Sequence, residues 1–221
     1  MISKLLFDAV LFDFDGVILD SYAATKECYK VVWAHFGVPW DEQRFIDNYS
    51  VNWKRNYEFL GFDINKAQPI WDEHMDKIRH IIKPFEGIFD AIEILKEFNS
   101  ELKLGIASSN YRENIIKSIS SHLNLFDIIL GCEDVQNIKP APDCILLGAK
   151  KLNVSLDRMV YVGDTAIDVQ AARRAKVAYA VAVAWGNYES LNKIIHSKPD
   201  CLLCNTSEIA DLDFWVKEVK R

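Results

Sequence analysis

Glycine and proline are scarce in this chain, nine and six of 221 residues. With half of all residues apolar, that scarcity excludes a disordered or collagen-like chain and suits a large packed core. Cysteine is sparse too. Cys28, Cys132, Cys144, Cys201 and Cys204 are odd in number and lack framework spacing, which excludes a small disulfide-stapled fold. Cys201-x-x-Cys204 admits a metal or redox reading, but no second pair and no His doublet lies near it. The plainer expectation is reduced, mostly buried thiols in a cytoplasmic protein. No apolar run reaches the ~20 residues a membrane span needs. Asp8 and Asp13 interrupt the apolar stretch after Lys4, where a secretory signal would need its centre. Positive charge is in deficit, 26 Lys and Arg against 32 Asp and Glu, for a net charge of −6. Neither nucleic acid nor a membrane is therefore an expected partner, whereas a local basic pocket for a small anion is compatible with that balance.

What the chain does have is alternation. Ala9-Val10-Leu11-Phe12 is wholly apolar, as expected of a strand covered on both faces. From Pro84 onward the pattern predicts helix 88–98, strand 102–107, helix 111–121, strand 127–130, helix 142–152 and strand 159–162. Helix 166–175, strand 177–183, a weaker strand near 200–203 and a C-terminal helix follow. Helices and strands taking turns in this way predict an α/β fold, a doubly wound parallel sheet with a Rossmann-like core. Between the first strand and Pro84 no convincing strand occurs. A helix capped by Asp20 or Ser21 is followed by helical stretches near 41–48, 53–60 and 66–82. The expected domains are thus a core of residues 1–19 and 84–221 and an all-helical insertion, 20–83, with hinges near 16–21 and 82–87. The insertion carries Trp33, Trp40, Trp53 and Trp71 along with Tyr22, Tyr29, Tyr49 and Tyr57. A small helical domain needs such side chains to build a core; one or two could also line a pocket.

Four segments place a reactive side chain just beyond a strand. In a parallel α/β sheet ligands bind at the carboxyl ends of the strands, where the strand order reverses. Asp13-Phe14-Asp15-Gly16 follows the first strand. Strand alternation predicts Asp13 and Asp15 on one side, where one carboxylate can attack phosphorus and the other handle protons. Ser108-Ser109-Asn110 supplies short donors ahead of a helix starting near Tyr111, suited to phosphate oxygens or to plain capping. Lys139-Pro140-Ala141-Pro142 is a stiffened loop whose lysine can offset phosphate and carboxylate charge. Asp164 and Asp168, after Gly163, lie four apart at a helix start, as metal ligands or as an N-cap and a first-turn charge. Several carboxylates at one edge repel unless a cation sits among them. Oxygen-only ligands beside phosphate point to Mg²⁺.

In order and placement these segments resemble the four motifs of haloacid dehalogenase-like hydrolases: Asp13-Phe14-Asp15-Gly16-Val17, Ser108, Lys139, and Gly163-Asp164-x-x-x-Asp168. The helical insertion is similar to the small helical cap of that superfamily, and Ala184-Trp185-Gly186 is similar to its phosphoglycolate phosphatase branch. The resemblance implies a Mg²⁺-dependent phosphatase in which Asp13 becomes an aspartyl phosphate. It implies Asp15 as acid and then base, Ser108 on a phosphate oxygen, and Lys139 balancing charge. The same resemblance puts Mg²⁺ on Asp13, the Asp15 carbonyl and Asp164, with Asp168 in an outer shell or bound through water. Dehalogenases of this pattern lack the acid at the Asp15 position. Phosphomutases of the β-phosphoglucomutase type share all four motifs but usually carry a His where this chain has Thr25. Phospho-aspartate receiver modules use similar groups, yet are about half as long and lack the insertion. The expected substrate is a small phosphorylated metabolite. Lys54 and Arg55 in the insertion are candidate partners for its remote anionic group, and a monomer or homodimer is expected.

Overall fold

Ala9, Val10, Leu11 and Phe12 are all fully buried, which only a strand covered on both sides allows. This strand, β1 (Ala9–Phe12), is central in the computed structural model, which describes residues 7–50 and 52–211. After it come β2 (Leu19–Asp20), α1 (Tyr22–His35), α2 (Glu42–Asn48), α3 (Arg55–Glu58), α4 (Ile64–Ile78) and β3 (Lys83–Pro84). The alternating part runs α5 (Ile88–Phe98), β4 (Lys103–Ala107), α6 (Arg112–Ser118), β5 (Ile128–Leu130), α7 (Asp143–Leu152) and β6 (Met159–Gly163). It ends with α8 (Ala166–Ala175), β7 (Tyr179–Val183), α9 (Leu191–His196), β8 (Cys201–Leu203) and a 3₁₀ turn at Thr206–Ala210. The expected C-terminal helix otherwise falls outside the described residues.

Six parallel strands form one sheet in the order β5-β4-β1-β6-β7-β8. Later strands build outward from β1 in both directions, the doubly wound Rossmann order, so connections on its two sides diverge and leave a crevice beyond the strand ends. The register sets what faces that crevice. Phe12 pairs with Ile106 of β4 and with Val162 of β6, so residues just after Phe12 emerge between Ser108 and Asp164. Below the edge the core is aliphatic, with Leu11, Leu130, Ile145, Val169 and Ile194 among its fully buried members. Each such side chain stabilises the fold by about 1.5–3 kcal/mol, a reserve against which the polar edge is set.

The chain divides into two compact units: one takes it up to Leu19 and from Pro84 onward, the other is Asp20–Lys83. The second is helical, with a core of Tyr29, Val32, Trp33, Phe45, Tyr57 and Ala67. Asp41 and Asp63 cap α2 and α4 by accepting from Arg44 N and Asn65 N, both at 3.0 Å. The aromatic side chains do build a core here, in rings such as Trp33–Trp40 with centroids 4.9 Å apart.

Several details differ from expectation. The helix expected over 66–82 starts at Ile64 and gives way to a 3₁₀ turn at Arg79–Ile81. The one expected over 111–121 stops at Ser118 and continues as 3₁₀ turns. A short strand, Lys83–Pro84, exists where none was expected and pairs with Leu19–Asp20. Two residues are too few to leave a period in the sequence. Helix α9 was likewise not anticipated. Among the five free cysteines only Cys28 and Cys144 are buried; Cys132 is half-buried, and at the short edge strand β8 Cys201 is half-buried and Cys204 exposed.

Candidate active site

Strand β1 stops at Phe12, although Asp13 N still donates to Val162 O at 2.8 Å. Beyond it the chain folds into a tight loop. Ile18 N and Leu19 N both donate to Phe14 O, at 2.9 and 3.0 Å, and Gly16 sits at φ 81°. That conformation favours glycine, and space demands it as well: a Cβ there would lie 2.1 Å from Asp164 Oδ2. This loop, rather than strand alternation, therefore sets Asp13 and Asp15, and the two carboxylates have different partners.

Asp13 is buried, and its Oδ2 meets Lys139 Nζ at 2.8 Å. Lys139 is only 3% exposed, which removes the ordinary reading of a solvated lysine. Its ammonium also donates to Asp168 Oδ1 at 2.6 Å and to the Tyr161 hydroxyl at 3.0 Å. Asp168 Oδ2 accepts from Thr165 N at 3.1 Å and from Thr165 Oγ1 at 2.6 Å. Thr165, and not Asp164, is thus the N-cap of α8, with Asp168 closing a capping box. Both oxygens of Asp168 are engaged by protein donors. Asp164 stands one residue before the cap, 1% exposed.

One carboxylate oxygen each from Asp13, Asp164 and Asp168 lies within 4.8 Å of the others. Asp13 Oδ1 and Asp164 Oδ2 are buried without a hydrogen-bond partner. Burial pushes the Asp13 carboxyl up to about 6; Lys139 opposes that shift and Asp168 adds to it. Burial, then Asp168 and Asp13, push Asp164 well above the carboxylate range. Burial alone would lower the Lys139 ammonium, yet Asp13 and Asp168 outweigh it and raise its pKa. Three acids face one ammonium, and uncompensated buried charge costs several kcal/mol. The donor set is oxygen only and two of its oxygens are orphaned, so these residues fit a hard divalent cation.

The Asp15 carboxylate has a partner of its own, its Oδ2 accepting from Asn110 Nδ2 at 2.8 Å. Asn110 is itself fixed: Oδ1 accepts from Tyr111 N at 2.8 Å, and its carbonyl accepts from Cys132 N at 2.9 Å. Ser108 is buried and its Oγ accepts from Asn110 N at 3.2 Å, while Ser109 Oγ is buried without a partner. The Arg112 N–H at the start of α6 donates to Glu133 Oε1 at 3.0 Å. Lys54 and Arg55 belong to the helical unit, where both are exposed and Lys54 Nζ lies 5.6 Å from the Trp53 ring centroid.

Four contributors to this edge were not anticipated. Tyr161 reads in sequence as one more large residue of an apolar strand. Thr165 stands two residues after Gly163 and directly after Asp164, and Thr-x-x-Asp before a helix has the form of a capping pair. Gly186 packs so closely that a Cβ would lie 2.5 Å from Asp164 Oδ2. Glu189 accepts from Ala166 N at 2.6 Å, at the start of α8. The last two come from the loop after β7, whose Trp185 Nε1 also donates to Val17 O at 3.0 Å.

A doubly wound sheet with acids and a buried lysine at its switch point defines an α/β enzyme with a polar site at the strand ends. Residues 10–182 match the family model for haloacid dehalogenase-like hydrolases, and the chain belongs to that family. Fructose-1-phosphate phosphatase YqaB of Escherichia coli (strain K12) is 25% identical over 172 residues, 75% of this chain and 91% of that protein. The phosphorylated carbohydrates phosphatase of Thermotoga maritima is 27% identical over 180 residues, 77% of this chain and 82% of that one. Among solved structures, CbbY from Rhodobacter sphaeroides in complex with phosphate superposes with a TM-score of 0.77. Its identity is 22%, over 92% of this chain and 96% of that one, a likeness of fold. Among the described residues no helix is long and apolar enough to cross a membrane.

Proposed function

We propose that this chain is a Mg²⁺-dependent phosphatase that hydrolyses a small phosphomonoester metabolite through an aspartyl phosphate on Asp13. The observation that carries the reading is a buried carboxylate, Asp13, held through Oδ2 by Lys139 at 2.8 Å while its Oδ1 and Asp164 Oδ2 are orphaned. Asp13, the Asp15 carbonyl and Asp164 would hold Mg²⁺, with Asp168 behind them as the anchor of Lys139. Bound there, the ion would neutralise charge on the transferring phosphoryl group.

In this reading Asp13 attacks phosphorus, the bond from phosphorus to the ester oxygen breaks, and Asp15 gives its proton to the departing alcohol. Asp15 then takes a proton from water, whose oxygen attacks the aspartyl phosphate. Inorganic phosphate leaves and the Asp13 carboxylate is restored. Asn110 steadies Asp15 for both transfers, so its part is positioning as well as contact with phosphate. Ser108 and Ser109 supply hydroxyls to phosphate oxygens; Ser108 Oγ accepts from Asn110 N and so keeps its own proton to donate. Charge balance and positioning supply most of the acceleration in such transfers.

Residues up to 19 and from 84 onward act as the catalytic core, 20–83 as the cap that selects the substrate, and Lys54 and Arg55 as partners of a remote anionic group. Phosphatase names among the relatives support the reaction class. The test is phosphate release from sugar phosphates, phosphoglycolate, polyol phosphates and nucleotides, with Mg²⁺ and with EDTA. Release that needs Mg²⁺ and vanishes in Asp13→Asn is expected. Undiminished release from that variant would refute the assignment, and conversion of a sugar phosphate to its isomer without release would indicate a mutase.

A further inference from the structure

We propose that Tyr161 is a positioning residue for this reaction: its hydroxyl completes the hydrogen-bond shell of Lys139 and so keeps the ammonium on the attacking carboxylate of Asp13. The inference rests on the reading of Asp13 as the nucleophile. A lysine ammonium has three protons, and each has one acceptor here: Asp13 Oδ2 at 2.8 Å, Asp168 Oδ1 at 2.6 Å and Tyr161 Oη at 3.0 Å. The phenol has a single proton. Ala107 O is its nearer acceptor at 2.9 Å, against 3.4 Å for Asp168 Oδ1, which already accepts from Lys139. The hydroxyl therefore gives its proton to Ala107 and takes one from Lys139.

This places one oxygen at the junction of three pieces of backbone. Ala107 immediately precedes Ser108, Lys139 comes from the loop after β5, and Asp168 belongs to α8. β4 and β6 are not neighbours, since β1 lies between them, so Tyr161 reaches over the nucleophile's own strand to tie its flanks. Without the hydroxyl a buried ammonium proton has no acceptor. Asp168 is pinned by Thr165, so the free adjustment is for Nζ to leave Asp13. Misplacing a reacting group by about 1 Å can cost 10²-fold in rate, and a partial shift correspondingly less.

Tyr161→Phe isolates the hydroxyl, because the aromatic ring 5.7 Å from Nζ is kept. With Mg²⁺ present, kcat should fall about tenfold while KM moves less than about twofold, the pattern of an interaction that matters in the transition state. A structural role alone would leave Lys139 untouched. The ¹H–¹⁵N signal of its ammonium, assigned by its loss in Lys139→Met, should instead shift or broaden into exchange with water in Tyr161→Phe. Wild-type kcat in that variant, or a reduced kcat with an unchanged ammonium signal, would overturn the inference. An inactive wild type would defeat the phosphatase reading and this kinetic role together. Normal wild-type turnover beside an unaffected Tyr161→Phe would defeat this inference alone.

Discussion

Among the described residues of the α/β unit, the buried polar side chains are Asp13, Ser108, Lys139, Asp164, Thr165 and Asp168; in the helical unit they are Ser21 and Asn56. The unpartnered buried atoms differ in kind as well. In the α/β unit they are Asp13 Oδ1, Asp164 Oδ2 and Ser109 Oγ, and in the helical unit Trp33 Nε1, Trp71 Nε1 and His74 Nε2. An unpaired indole N–H costs about 1–3 kcal/mol, which a core of packed aromatic rings absorbs. An unpaired carboxylate costs more, and two at one edge make a poor structural solution. One unit therefore uses its buried polar groups to hold shape, and the other keeps them short of charge compensation. Asn56 illustrates the first use, bonding Tyr29 Oη at 2.9 Å, Ser50 O at 2.8 Å and Ser50 N at 2.7 Å.

That contrast can be broken experimentally. The largest effect is expected of Asp13→Asn, which should lower kcat by at least about 10³-fold and yet raise the melting temperature without Mg²⁺, since it removes a buried charge. A variant that loses activity and stability together would mean that Asp13 is structural. Next is Gly186→Ala, which changes no ligand but sets a methyl group 2.5 Å from Asp164 Oδ2 and 2.6 Å from Gly16 O. Mg²⁺ affinity by calorimetry should weaken about 10–100-fold, as for lost supporting contacts at other metal sites. Unaltered affinity would separate Asp164 from the ion. The smallest effect is expected in the helical unit: Asn56→Leu should cost about 1–3 kcal/mol in denaturant unfolding and leave the Mg²⁺-induced rise in melting temperature unchanged. A loss of that rise would show that the two uses of buried polarity are not separable.

Much of the architecture was legible because long amphipathic helices and apolar strands carry their own period. Helices 88–98 and 166–175 match their expected bounds. Elements of two to six residues, such as Lys83–Pro84 and Leu191–His196, are too short to show one. At the site, Asp13, Lys139, Asp164 and Asp168 stood out as charged residues after apolar runs. What each does to the others did not, because Oδ2 and Oδ1 of one carboxylate have different neighbours that no spacing encodes. Tyr161 was hidden for the opposite reason: all of its side chain but the hydroxyl is hydrocarbon, set in a hydrocarbon strand, and only the tip meets Lys139. Gly186 acts by having no side chain, so only the proximity of Asp164 reveals it.

Thermal unfolding with and without Mg²⁺ at two pH values tests most directly whether Asp13 and Asp164 bind a divalent cation. A carboxyl whose folded pKa is raised binds extra protons when folded. For Asp13 intrinsic stability should therefore fall as pH rises from the ordinary 3.8 toward about 6, and stay low above that. Burial shifts Asp164 in the same direction. Mg²⁺ competes with those protons, so it should raise the melting temperature clearly at about pH 7.5, much less at about pH 5, and hardly at all in Asp164→Asn at either pH. An equal rise at both pH values, or a full rise in Asp164→Asn, would contradict the account.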